Sequence, residues 1–267
     1  MSQKGGMKTM RYAANLSMLY PDRPFLRRFE AARASGFSFV EFLFPYEAGL
    51  EAVEDALQTN HLQVVLFNLP SGHWDRGERG IAVLPDRRRE FRDGVEEAVG
   101  YAEKLGCARI NCLAGIRPPG LSAEEAWATL EENAGYAADR LAECGKTLMV
   151  EPVNFFDVPG FFLNTTAAAE TLLENLKRPN IRIQYDVYHL QRMQGELIAN
   201  IRRLGPAIGH VQIADNPGRH EPGTGEINYA NVLQALESLG YDGYVGLEYI
   251  PLADTDAGLK WLAPERR

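Results

Sequence analysis

Cysteine is scarce in this chain of 267 residues, which has only Cys107, Cys112 and Cys144. An odd count with no Cys-x-x-Cys pair excludes a disulfide framework and reads as reduced thiols in a cytoplasmic protein. No apolar run approaches the ~20 residues of a membrane-spanning helix. The leader MSQKGGMKTM lacks the hydrophobic core of a signal peptide. Basic charge is in deficit, with a net charge of −8 at pH 7, so no general positive field is present for nucleic acid. Low-complexity stretches and linkers are missing too. The acid excess still allows an anionic substrate, because a few local arginines or a metal hold one.

What is present is globular: 45% hydrophobic and 24% charged residues, ample for one large core. Strand-like and helix-like patterns alternate along the chain. Strands are expected over 10–16, 39–43, 63–68, 109–113, 147–151, 181–186, 207–213 and 244–249. Helices are expected over 24–34, 49–59, 86–105, 122–143, 165–176, 191–204, 229–239 and, briefly, 256–262. Asp86 is the expected N-cap of the third helix, and SAEE from Ser122 has the form of a capping box before the fourth. Eight such units, with short buried strands, predict an α/β fold, a single-domain (β/α)8 TIM barrel over 9–267 behind a loose tail over 1–8. Long connections follow strands three, five and seven, on the face where barrels build their sites.

Four polar residues stand near the ends of β-prone runs: Glu151 in TLMVEP, Asp186 in IRIQYD, Gln212 in AIGHVQIAD and Glu248 in GYVGLEY. Carboxylates are poor strand formers and costly to bury alone. Successive separations of 35, 26 and 36 residues bracket the ~30 residues of one βα unit. The four therefore read as oxygen ligands converging on one divalent cation, Mg or Mn being the expected ions. Glu151 and Glu248 are also the candidate proton-transfer pair, able to remove and return a proton at adjacent carbons. The bland alternatives are strand caps and a structural metal site.

Around them lie further candidates for substrate binding. His189 follows Asp186 by three and reads either as a group for a substrate oxygen or as a partner for a carboxylate. His210 shares a strand face with Gln212 and reads as a support for a ligand carboxylate or as an ordinary buried histidine. Arg219, in the loop ADNPGRHEPGTGEI, suits a substrate carboxylate, with Glu221 its expected holder, or is a solvated loop arginine. In PSGHWDRGERG the candidates are His73, Glu78 and Arg79, set against a mobile surface loop.

These residues closely resemble the hydroxypyruvate isomerase family of the xylose-isomerase-like barrels, almost end to end. The resemblance is carried by VEFLFPYE, FNLPSG with GERG, INCLAG, VEPVN with DVPGFFLN, QYDVYH, HVQIADNPGRHEPGTGEINY and GYDGYVGLEY. It implies isomerisation of hydroxypyruvate to 2-hydroxy-3-oxopropanoate (tartronate semialdehyde) through an enediol. It implies metal ligands at Glu151, Asp186, Gln212 and Glu248, with the acid/base pair at Glu151 and Glu248. Related sugar epimerases usually carry histidine where this chain has Gln212. Two departures bear on substrate choice. Asn154-Phe155-Phe156-Asp157 stands where the family often has an arginine, and Gly72-His73-Trp74 where it often reads Gly-Asp-Trp. The competing expectations are a 2-oxotetronate isomerase, a ketose 3-epimerase and a non-catalytic sugar-acid binding barrel. An apurinic-endonuclease-like barrel would call for a basic surface and more histidine ligands. The expected partner is a small 2-oxo acid or short sugar, with no nucleic acid and no membrane, and with room for a homo-oligomer.

Overall fold

Near-continuous apolar runs such as QVVLFN, exposed only at Gln63, are what parallel strands buried on both faces look like. In the computed structural model the described residues are 10–267; the expected tail over 1–8 lies outside them. Among the described residues eight strands close a parallel barrel in chain order. They are β1 (Arg11–Asn15), β2 (Phe39–Glu41), β3 (Gln63–Asn68), β4 (Arg109–Cys112), β5 (Thr147–Val150), β6 (Ile181–Asp186), β7 (Ile208–Ile213) and β8 (Tyr244–Leu247). The outer ring comprises α1 (Phe25–Ala34), α2 (Leu50–Thr59), α3 (Arg88–Lys104), α4 (Ala123–Glu143), α5 (Thr166–Leu176), α6 (Val187–Met193), α7 (Leu197–Leu204), α8 (Tyr229–Ser238) and the short α9 (Thr255–Gly258).

Strand register sets the polar layer. Asn15 pairs with Glu41, Asn68 with Asn111, and Asp186 with Gln212. Residues two apart face the same side of a strand, so the layer beneath is built from Ala13, Phe39, Leu66 and Met149, joined by Tyr244, all part of one apolar cluster. Outside the strands, Phe25, Phe29 and Phe42 meet at 5.4–6.0 Å between ring centroids, within the range of favourable aromatic pairs.

Ser122 forms the expected capping box on α4, accepting from the Glu125 N–H at 3.1 Å. Three expectations need correction. Asp86 caps nothing: Pro85–Arg87 is a 3-10 turn, and α3 starts at Arg88 without a side-chain cap. The helix expected over 191–204 is two helices. Asp186 caps α6 five residues earlier by accepting from the His189 N–H at 3.1 Å. Gly195 and Glu196, both at positive φ, then break the helix, since a left-handed pair cannot continue it. The last helix is α9, started by Asp254 and not by Asp256.

Candidate active site

Glu151 and Glu248 each stand one residue beyond a strand, after β5 and β8, while Asp186 closes β6. Glu151, Glu248, His189 and Arg219 line one cavity of about 230 Å3, with Asn68, Arg79 and Asp157 and walls such as Leu43, Trp74, Leu113 and Phe161. That volume is below the ~300–1,000 Å3 of pockets for drug-sized ligands. A second cavity, about 410 Å3, opens at the opposite, N-terminal end of the strands beside Arg109, Arg182 and Asp242; no carboxylate pair lies there.

Burial raises both cavity glutamates. Glu151 is held well above the ordinary carboxylate range by desolvation and then by the charge of Asp186. Glu248 is also raised by desolvation, and Arg219 moderates the shift. Their supports differ. Glu151 accepts from Asn111 Nδ2 at 2.9 Å. Glu248 accepts from Arg219 Nη2 at 2.5 Å, from Asn15 Nδ2 at 3.1 Å and, more closely, from Gln212 Nε2. Ligand atoms of Glu151, Asp186 and His189, all buried, lie within 4.8 Å of one another.

His189 presents a defined tautomer. Its Nδ1 meets the Asn154 N–H at 3.3 Å and Asn154 Nδ2 at 2.6 Å. The Asn154 amide is itself oriented, since Nδ2 donates to Asp157 and Oδ1 accepts the Asp157 N–H. Nδ1 is therefore the acceptor and Nε2 carries the proton. That Nε2–H faces Asp186 Oδ2 at 3.7 Å and Glu151 Oε1 at 4.0 Å. Burial pulls the imidazole down to about 4, so it is neutral at pH 7.

Arg219 is carried by a loop built on the buried Asp215. Asp215 accepts from the backbone N–H groups of Asn216, Gly223 and Ile227, and Arg219 itself sits at positive φ with its side chain largely buried. Its partner is Glu248, with Asp186 Oδ2 at 3.7 Å. Glu221, the expected holder, instead accepts from the Leu252 N–H. Arg219 Nε is buried without a partner, as is Asp186 Oδ2. In the same polar layer Asn111 Oδ1 and Gln184 Oε1 are also buried without a hydrogen-bond partner.

Gln212 lies in the same layer, in register with Asp186. Its Nε2 donates to Glu41 and Glu248, and its Oε1 accepts from Gln184 Nε2 at 2.6 Å. His210 bonds Glu41, not a ligand carboxylate. Of the three candidates after β3, Arg79 alone lines the cavity, its guanidinium 4.0 Å from the Trp74 ring centroid. Glu78 closes its own loop, accepting from the His73 N–H and from Arg87, and His73 does not line the cavity. Phe155 and Phe156 do not wall it either: they are 46% and 58% exposed and meet edge to face.

Sequence reasoning missed Asn15, Glu41, Asn68, Asn111 and Gln184, all buried. A signal was available. The first four end YAAN, FVE, VVLFN and RIN, runs like those that carry the four chosen residues. With them, every strand contributes a polar side chain to one layer.

The family model described as xylose isomerase-like TIM barrel matches residues 29–265. The chain is 50% identical over 257 residues to the hydroxypyruvate isomerase of Escherichia coli, covering 96% of this chain and 100% of that protein. It is 43% identical over 254 residues to the 2-oxo-tetronate isomerase of Cupriavidus necator, covering 95% and 98%. A crystal structure described as AP endonuclease, family 2, from Brucella melitensis superposes with a TM-score of 0.94 at 44% identity, covering 97% of this chain and 100% of that one.

Proposed function

The chain belongs to the xylose isomerase-like TIM barrel family, and from that premise we propose that it is an aldose–ketose-type isomerase interconverting hydroxypyruvate and tartronate semialdehyde. The observation that carries this reading is the pair Glu151 and Glu248. They come from strands three apart around the barrel and line one small cavity, both with raised carboxyl pKa. In hydroxypyruvate a proton leaves C3 and one arrives at C2, while the oxygen-bound proton moves from O3 to O2. The species between is the enediol. Two carboxyl groups that burial raises above the ordinary carboxylate range suit both transfers, one accepting at C3 and the other donating at C2. Arg219, with its unpartnered Nε, holds the substrate carboxylate. The neutral His189 donates its Nε2–H to a substrate oxygen, and the apolar walls keep water from the enediol.

The donors fit a divalent cation. Asp186 Oδ2 is buried without a hydrogen-bond partner, and it lies in the cluster with Glu151 and His189. Glu151, Asp186, Gln212 and Glu248 would hold the ion; His189, whose Nε2 is protonated, stays a donor. Oxygen ligands favour Mg or Mn. When bound, such an ion supplies Lewis-acid polarisation of the substrate oxygens.

A second reading, 2-oxotetronate isomerisation, is favoured by the 43% identical relative of that name. That substrate has the same carboxylate, C2 carbonyl and C3 hydroxyl, plus one hydroxymethyl group. The test is turnover of hydroxypyruvate, tartronate semialdehyde, 2-oxotetronate and C4–C6 ketoses by the purified protein, with and without Mg or Mn. Preference for the three-carbon acid supports the first reading and preference for the four-carbon acid the second. Turnover of neutral ketoses alone points to an epimerase or sugar isomerase, and binding without turnover to a non-catalytic barrel; either result sinks both.

A further inference from the structure

Beneath the cavity sits a carboxylate that the reaction does not use. Glu41 ends β2 fully buried. Its Oε1 accepts from Asn15 Nδ2 at 3.0 Å and Gln212 Nε2 at 2.8 Å, and its Oε2 faces His210 Nε2 at 2.6 Å. His210 is its one ion-pair neighbour among the described residues. An acid this deep without a lysine or arginine is costly, and an apolar side chain of the same size would fold at less cost. The barrel nevertheless makes room for it. Gly246, on β8 two residues before Glu248, leaves a space in which a β-carbon would overlap the Glu41 carboxylate.

The amides of Asn15 and Gln212 explain what the carboxylate does. Both also donate to Glu248 Oε2. An amide NH2 group has two hydrogens, so each group bridges one oxygen of Glu41 and one oxygen of Glu248. Turning either amide over would set its carbonyl oxygen against two carboxylates at once. The two acids together therefore fix both amides, and the amides fix the angle of Glu248. Gln184, donating to Gln212 Oε1, locks the other end of that amide.

We propose that Glu41, anchored by His210, is a positioning residue that aims Glu248 for proton transfer through the amides of Asn15 and Gln212. The proposal rests on the isomerase reading. Glu41 lines no part of the cavity, so it acts on the orientation of Glu248 and not on substrate binding.

The test uses the metal-loaded enzyme and the isosteric Glu41→Gln variant. kcat for the 2-oxo acid is expected to fall roughly 10–100-fold, the scale of an ångström-sized misplacement of a reacting group, with KM within about threefold. In an Asn15→Ala background the same substitution loses part of its effect, because one of the two bridges it acts through is already gone. Gly246→Ala, which displaces the Glu41 carboxylate without removing its charge, reproduces the kcat loss and serves if Glu41→Gln does not fold. A kcat within twofold of wild type in either folded variant, a change confined to KM, or additive losses in the double variant overturns the proposal. The side-chain NH2 resonances of Asn15 and Gln212 give a reading without turnover. Both shift in Glu41→Gln if the bridge exists, and unchanged resonances overturn it. A wild-type protein inactive on every 2-oxo acid sinks the isomerase reading and with it the catalytic part of this proposal, whatever the resonances do.

Discussion

At Arg219 a single guanidinium faces Glu248 at 2.5 Å and Asp186 at 3.7 Å, in the same cluster a divalent cation would enter. Opposite charges about 4 Å apart attract by ~4 kcal/mol at an effective dielectric of 20, so Arg219 and the metal compete for these carboxylates. Arg219→Gln is expected to bind Mn more tightly than wild type, by about tenfold or more in calorimetric titration. The same variant raises KM for a 2-oxo acid by roughly 10–150-fold, the effect of losing a charged hydrogen bond of ~1.5–3 kcal/mol, and hardly changes KM for a neutral ketose. Equal KM changes on both substrates would assign Arg219 to holding its loop. Glu151→Gln and Glu248→Gln are each expected to lower kcat by at least ~10²-fold. Metal content measured alongside separates proton transfer from ligation: a variant that keeps both metal and near wild-type rate leaves the acid/base pair.

Among the described helices, α4 is the one that starts with a reciprocal capping box. Ser122 and Glu125 exchange hydrogen bonds across its first turn. Ser122→Ala removes the side-chain acceptor and is expected to cost ~1 kcal/mol, lowering Tm by about 2–4 °C in calorimetry. An unchanged Tm would mean that packing of α4 against α3 and β5 alone sets where the helix begins. The other decisive element boundary is β6 to α6. Asp186 is at once the last strand residue and the cap of α6, which puts His189 one turn along and level with the carboxylates. Had the helix begun at 191, as the periodicity suggested, His189 would sit in a connecting loop.

For the whole molecule, the closed barrel separates an apolar ring between strands and helices from a polar layer inside its C-terminal end. Cys107 and Cys112 lie buried, and burial pushes both thiols up to about 12. Cys144, after α4, is partly exposed. A thiol reagent applied to the native protein near neutral pH is therefore expected to modify at most one cysteine per chain, and three after denaturation; rapid modification of three in the native state would mean that the barrel opens readily. Among the described residues no helix is long and apolar enough to cross a membrane.

The chain by itself determined the barrel and pointed to Glu151, Asp186 and Glu248, though not to Glu41, because both rest on local regularities: buried β-prone runs, amphipathic helices, and polar residues recurring about one βα unit apart at strand ends. What only the tertiary structure decided is which of these side chains touch. Arg219 meets Glu248, 29 residues away, rather than the nearby Glu221. Glu41 meets Gln212 across 171 residues, and Glu78 turns back on its own loop. Phe155 and Phe156 point to solvent. The reason is physical. Strand periodicity says which face a residue occupies, but hydrogen bonds in a dry barrel depend on register between strands far apart in sequence and on the need to give every buried polar atom a partner. Those constraints exist only once the eight strands have closed.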